Sequence, residues 1–133
     1  MMDDKIKQFF TSKGYAVVGA STNREKYGNK VLRCYLQHHK KVIPVHPKET
    51  MIEGVPCVQT INNLPDDVYS ISMVTPPAIT EKIVEQAIAK GIKNIWMQPG
   101  AESEKAMNEC VENNINVIAN GPCILAVMGY KDR

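Results

Sequence analysis

A chain of 133 residues, 44% hydrophobic and 23% charged, has the composition of one folded domain with a core of its own, not of a disordered segment. A net charge of +2 is too small to mark a nucleic-acid surface, and the five Tyr, two Phe and one Trp form no stripe interleaved with Lys and Arg. No stretch approaches the roughly 20 apolar residues of a membrane span.

The opening MMDDKIKQFF carries acids where a secretory leader is basic, and the four cysteines, at 34, 57, 110 and 123, include no C-x-x-C pair. Both features suit reduced thiols and a cytoplasmic protein. Ile6, Phe9 and Phe10 share one side of a short helix predicted over residues 3–12. YAVVGA (15–20) is an apolar, β-branched run suited to a strand buried on both faces. Helical spacing returns at Val31, Leu32, Tyr35 and Leu36, with Asn29 as the expected N-cap after a flexible Gly28. KVIPVHP (41–47) reads as a second strand, and GVPCVQTINNLP as a short strand near 55–58 followed by one helical turn.

YSISMVTPP (69–77) is the next main strand, stopped by two prolines. Ile79, Ile83, Val84, Ala87 and Ile88 then line one helical face, and Gly91 is a natural C-terminal stop. A strand in NIWMQPG, a helix in SEKAMNECVENN and a last strand in INVIAN complete the alternation before GPCILAVMGY closes the chain. Strands alternating with helices predict βαβ units, hence a single-domain α/β fold with a Rossmann-like, doubly wound parallel sheet over residues 1–133.

In open α/β sheets ligands lie outside the carboxyl ends of the strands, and each predicted strand here ends in unusual residues. The first loop has Gly19 for a sharp turn, but Ser21 and Arg24 stand where G-x-G-x-x-G would have its later glycines. The backbone N–H groups after the strand form a candidate anion cradle, with Ser21, Asn23, Lys26 and Lys30 as further donors. The second strand ends in Val45-His46-Pro47-Lys48, where an NAD site would have an acid for the ribose hydroxyls. A lysine there points to a phosphorylated ribose, as in NADP or coenzyme A. Val74-Thr75-Pro76-Pro77 would form a stiff apolar ledge for a neutral tether, and Gln98-Pro99-Gly100 closes the same edge.

No catalytic constellation accompanies these loops: the only acids read on them are Glu49 and Glu102, and neither G-x-S-x-G nor H-E-x-x-H occurs. Nothing has metal-ligand spacing. Trp96 reads as core. Cys123 reads as a small buried residue, with a thiol facing the groove as the alternative.

Taken together, VVGAS followed by Tyr27-Gly28-Asn29-Lys30, then VIPVHPK, VTPP and WMQPGA, make the chain resemble the stand-alone CoA-binding domain proteins over residues 10–126. It is also similar to the CoA-binding N-terminal domain of the succinyl-CoA synthetase α subunit. That resemblance implies a diphosphate cradle at Gly19, Ala20, Ser21, Thr22, Asn23 and Lys26. It implies adenosine contacts at Val45, His46, Pro47 and Lys48, and a pantetheine flank at Val74, Thr75, Pro76 and Pro77. The synthetase's phosphorylated histidine belongs to a second domain absent from this sequence. The expectation is therefore a protein that binds coenzyme A or acyl-CoA without catalysis of its own, alone or with a partner protein or further copies of itself. The alternatives are an NADP-linked oxidoreductase and a regulatory module with a vestigial pocket.

Overall fold

The computed structural model describes residues 1–133. Five parallel strands form one sheet in the order β2-β1-β5-β6-β7: β1 (Gly14–Val18), β2 (Val42–Val45), β5 (Val68–Met73), β6 (Asn94–Met97) and β7 (Asn116–Ile118). Between β2 and β5 lies a two-stranded hairpin, β3 (Met51–Ile52) with β4 (Val55–Pro56), then a 3-10 turn at Ile61–Asn63. The helices are α1 (Met2–Phe9), α2 (Tyr27–Gln37), α3 (Pro77–Lys90), α4 (Glu104–Glu112) and α5 (Ile124–Met128). No helix is long and apolar enough to cross a membrane.

Alternation along the strands builds two cores. Ala16 and Val18 of β1, Ile71 and Met73 of β5 and Ile95 and Met97 of β6 face α3, α4 and the 3-10 turn. Tyr15, Val17, Trp96 and Ile118 face α1, α2 and α5 through Phe9, Val31, Leu32, Tyr35 and Ile124. Helices thus cover both faces, as expected of a doubly wound sheet. The central strand β5 is YSISM rather than uniformly apolar because Phe9 and Tyr35 bring polar atoms to the second face. There the Ser70 hydroxyl donates to the Phe9 carbonyl (2.7 Å), and Ser72 Oγ lies 2.6 Å from the Tyr35 hydroxyl. Trp96 is fully buried and its indole N–H donates to the Pro122 carbonyl at 3.0 Å.

Two local expectations change. The segment near 55–58 pairs mainly with Met51–Ile52 in the hairpin, and only Val58 bridges the main sheet, alongside Val45. Helix α2 begins before Asn29, with Lys26 as N-cap. Gly28 is a helical residue of the first turn, where its missing side chain lets the helix press against the end of β1.

From β1 the chain runs outward to β2, then returns across β1 to β5 on its other side. This reversal puts the switch point of the sheet between the C-terminal ends of β1 and β5. The Val74 N–H donates to the Val18 carbonyl at 2.8 Å and holds those two ends together.

Candidate functional site

Leaving β1, the chain turns at Gly19 with φ 91°, and a Cβ there would lie 2.1 Å from the Val74 carbonyl oxygen. Only glycine fits that turn. Beyond it the polar side chains shape the loop: Ser21 Oγ accepts the Asn23 N–H (3.1 Å), and Asn23 Oδ1 accepts the Glu25 N–H (3.0 Å). The N–H groups of Gly19, Ala20, Ser21 and Thr22 donate to no protein atom. In the first turn of α2 the N–H groups of Tyr27 and Gly28 are likewise unpaired, no side chain caps the helix, and no acid occupies that turn. Lys26 and Lys30 sit at this positive helix end, with Lys30 Nζ 5.6 Å from the centre of the exposed Tyr27 ring. Free main-chain donors, a helix N-terminus and two lysines suit an anion.

Asn29 has a different place from the one its sequence position suggested. It is buried, and its amide donates to the Ser21 carbonyl (2.8 Å) and to Glu53 Oε2 (3.1 Å) while its Oδ1 accepts from Arg33 Nε (2.7 Å). Its side chain holds the loop from behind instead of facing solvent. Glu53 is an acid that strand-end reasoning missed. It stands at the hairpin tip with φ 50° and pairs with Arg24 at 3.3 Å. The turn residues Glu53-Gly54 between two short apolar pairs mark a hairpin, but only the fold brings its tip to the loop.

At the end of β2, His46 Nδ1 accepts the N–H groups of Lys48 (3.0 Å) and Glu49 (2.9 Å), so the neutral ring carries its proton on Nε2. Val45, His46 and Pro47 line a cleft of about 350 Å³ with Gly19, Ala20 and Thr75. Its far wall comes from Ile79, Ile83 and Gln86 of α3 and from Gln59, Thr60 and Ile61. All six lay outside the predicted set. Reading the strand near 55–58 as a parallel neighbour of β2 would have put residue 59 at the same edge, as the Val45–Val58 bridge does. Lys48 is exposed in the turn beyond the cleft.

Pro76 is the N-cap of α3 and Pro77 its first residue, the position where a missing N–H matters least. Thr75 Oγ1 and Thr80 Oγ1 lie 2.7 Å apart, and Thr80 Oγ1 also donates to the Pro76 carbonyl (3.3 Å), which fixes the entry to the helix. Beside this ledge a second recess of about 260 Å³ is lined by Val74, Thr75, Pro76, Gln98, Pro99 and Gly100, and meets the first cleft at Thr75. Gln98 is nearly buried: its Oε1 accepts the Ile124 N–H (2.8 Å) and its Nε2 donates to Cys123 Sγ (3.3 Å). It thereby joins the loop after β6 to the start of α5. Residues 19–20 and 45–47 thus border the cleft, 74–76 and 98–100 the recess beside it, with Thr75 common to both, while Lys26, Tyr27 and Lys30 stand at the α2 end.

Fold and edge together define a Rossmann-like domain with a loop of unpaired main-chain N–H groups at its switch point. A family model described as CoA binding domain matches residues 13–128, and the chain belongs to that family. It is 28% identical over 133 aligned residues to an ADP-forming acetate–CoA ligase of Methanocaldococcus jannaschii, covering 95% of this chain and 19% of the ligase. It is 27% identical over 114 residues to the α subunit of ADP-forming acetate–CoA ligase II of Pyrococcus furiosus, covering 80% of this chain and 25% of that subunit. The chain therefore spans a quarter or less of these curated relatives. Among solved structures, a conserved hypothetical protein from Pyrococcus furiosus matches with a TM-score of 0.82 at 36% identity, covering 86% of this chain and 98% of that one. The resemblance to the succinyl-CoA synthetase group and the doubly wound fold are both borne out. The chain is a CoA-binding domain similar to part of the acetate–CoA ligases.

Proposed function

We propose that this domain grips the diphosphate of coenzyme A, free or acylated, on the N–H groups of residues 19–22 and the N-terminus of α2. The adenosine end lies in the cleft bordered by Val45, His46 and Pro47, with Lys48 near the ribose phosphate. The pantetheine arm runs over Thr75-Pro76-Pro77 toward Gln98-Pro99-Gly100. The observation that carries this reading is the run of four consecutive unpaired N–H groups at the switch point of a CoA-binding domain. The absence of an acid from Val45-His46-Pro47-Lys48 favours a phosphorylated ribose over NAD.

On this reading the chain performs no chemistry alone and lends its pocket to a catalytic partner, a further domain or another copy of itself. Support comes from relatives that are ligases several times its length, one of them named as a subunit. Thermal unfolding with CoA, NADP, NAD and ATP tests the ligand. CoA should raise stability by about 2.7 kcal/mol at 100 times its Kd. Stabilisation by NADP but not by CoA overturns the reading in favour of a reductase, and no response to any of the four supports a vestigial pocket.

A further inference from the structure

Behind the loop, on the side away from the cleft, runs a strap of residues 129–133. Gln37 of α2 fastens it twice, its amide donating to the Lys131 carbonyl (2.5 Å) and its Oε1 accepting the Lys131 N–H (3.0 Å). The Tyr130 ring centre lies 5.6 Å from the Arg33 guanidinium, and the Tyr130 hydroxyl donates to Asp132 Oδ1 at 2.9 Å. Arg33 is 6% exposed, and its partners come from three directions. Nε donates to Asn29 Oδ1 (2.7 Å) and one terminal nitrogen to the Arg24 carbonyl (2.7 Å). The other donates to the main-chain oxygen of Arg133 (3.0 Å) and to Asp132 Oδ1 (3.3 Å).

We infer that Arg33 is a positioning residue that couples docking of the 129–133 strap to the aim of the anion-binding loop; this rests on the coenzyme reading above. In a trans peptide the carbonyl of one residue and the N–H of the next point in opposite directions. Asn29 draws the Ser21 carbonyl toward α2, so the Thr22 N–H of that same peptide is turned outward. Asn29 is held in this posture by Arg33, which also anchors the Arg24 carbonyl at the far side of the loop. A buried guanidinium is retained only with its donors paired, and the strap supplies the Asp132 carboxylate and the Arg133 main-chain oxygen. With the strap released, one terminal nitrogen of Arg33 loses both its acceptors, and as the guanidinium turns toward water Asn29 Oδ1 loses its donor, leaving Glu53 alone to hold the Asn29 amide beside the Ser21 carbonyl. None of Gln37, Arg33 or Tyr130 lines the cleft or its neighbouring recess, so the coupling works through the loop alone.

The test uses the full chain carrying Gln37→Ala with Tyr130→Ala, and separately Arg33→Lys, which keeps the charge but not the three-way bridge. Hydrogen exchange should rise at the paired loop amides of Asn23, Glu25 and Lys26 while those of β5 and β6 stay protected. CoA affinity should fall about fivefold, the low end of site-to-site coupling, with affinity for adenosine 3′-monophosphate (base and ribose phosphate, no diphosphate) changed less than about twofold. Unchanged loop exchange, unchanged CoA affinity, or equal weakening of both ligands each overturns the inference. If the wild-type chain binds no CoA, the coenzyme reading fails on its own, and the exchange data still decide whether strap and loop are coupled.

Discussion

Gly28, in the first turn of α2, faces the carbonyl of Gly19 at the end of β1 so closely that a Cβ on Gly28 would stand 2.0 Å from that oxygen. Helix propensity alone makes Gly28→Ala stabilising by up to about 1 kcal/mol. The contact predicts the opposite sign, a loss of about 1–3 kcal/mol as helix and loop are pushed apart. Urea unfolding of the variant separates the two, and a gain in stability contradicts the packing described here.

Ser21→Asp should weaken CoA binding, since it sets a like charge beside the proposed diphosphate cradle. Ser21→Asn is the control: it keeps an acceptor for the Asn23 N–H without the charge. Titration calorimetry should show the Asp variant at least about tenfold weaker than the Asn variant, the effect of roughly 1.4 kcal/mol of repulsion. Equal affinities would place the diphosphate elsewhere.

Burial pushes the Cys34 and Cys110 thiols from 9.0 up to about 11. At pH 8 only about one in a thousand of each is thiolate, and neither is exposed. Iodoacetamide should therefore leave Cys34 and Cys110 unmodified in the native protein and label all four cysteines after unfolding. Mass spectrometry of the peptides reads the result, and early labelling of Cys34 contradicts its complete burial.

Alkaline pH should destabilise the fold. Burial raises Cys34 and Cys110 to about 11 and Tyr15 from 10.0 to about 12, and it pushes Tyr35 up as well. A folded-state value above the unfolded one means that the protonated form supports folding. That support is complete below about pH 9 and is lost progressively toward pH 12. Thermal stability should accordingly fall across that window, and Cys34→Ala with Cys110→Ala should remove the decline between pH 9 and 10 and lessen it up to pH 11, leaving the share of Tyr15 and Tyr35 above pH 10.

The βαβ alternation was legible because buried parallel strands such as YAVV are continuous apolar runs, and helices such as Pro77–Lys90 carry a period of their own. The strand-end residues were legible for the same reason: in this topology every strand ends at one edge. What could not be read was anything set by contacts between distant segments. Asn29 looks like a cap because Asn caps helices, yet its amide is engaged by Ser21 and Glu53 across the loop. Gly28 looked flexible, whereas close approach to Gly19 is what its position requires. Glu53 and Gln59 reach the site only because the hairpin and the Val58 bridge fold back over it.

That fold-back also bears on how the ligand choice could be retuned. Ile61 is buried and Val58 is pinned to β2, but between them Gln59 is exposed and its side chain makes no hydrogen bond, although it borders the cleft. Ile79 and Gln86 of α3 border the same cleft from exposed positions, whereas Val18, Val45 and Ile61 are buried. On the proposed reading, exposed positions such as Gln59 and Gln86 serve as an adjustable gauge for the width of the bound headgroup, open to mutation with little penalty to the scaffold.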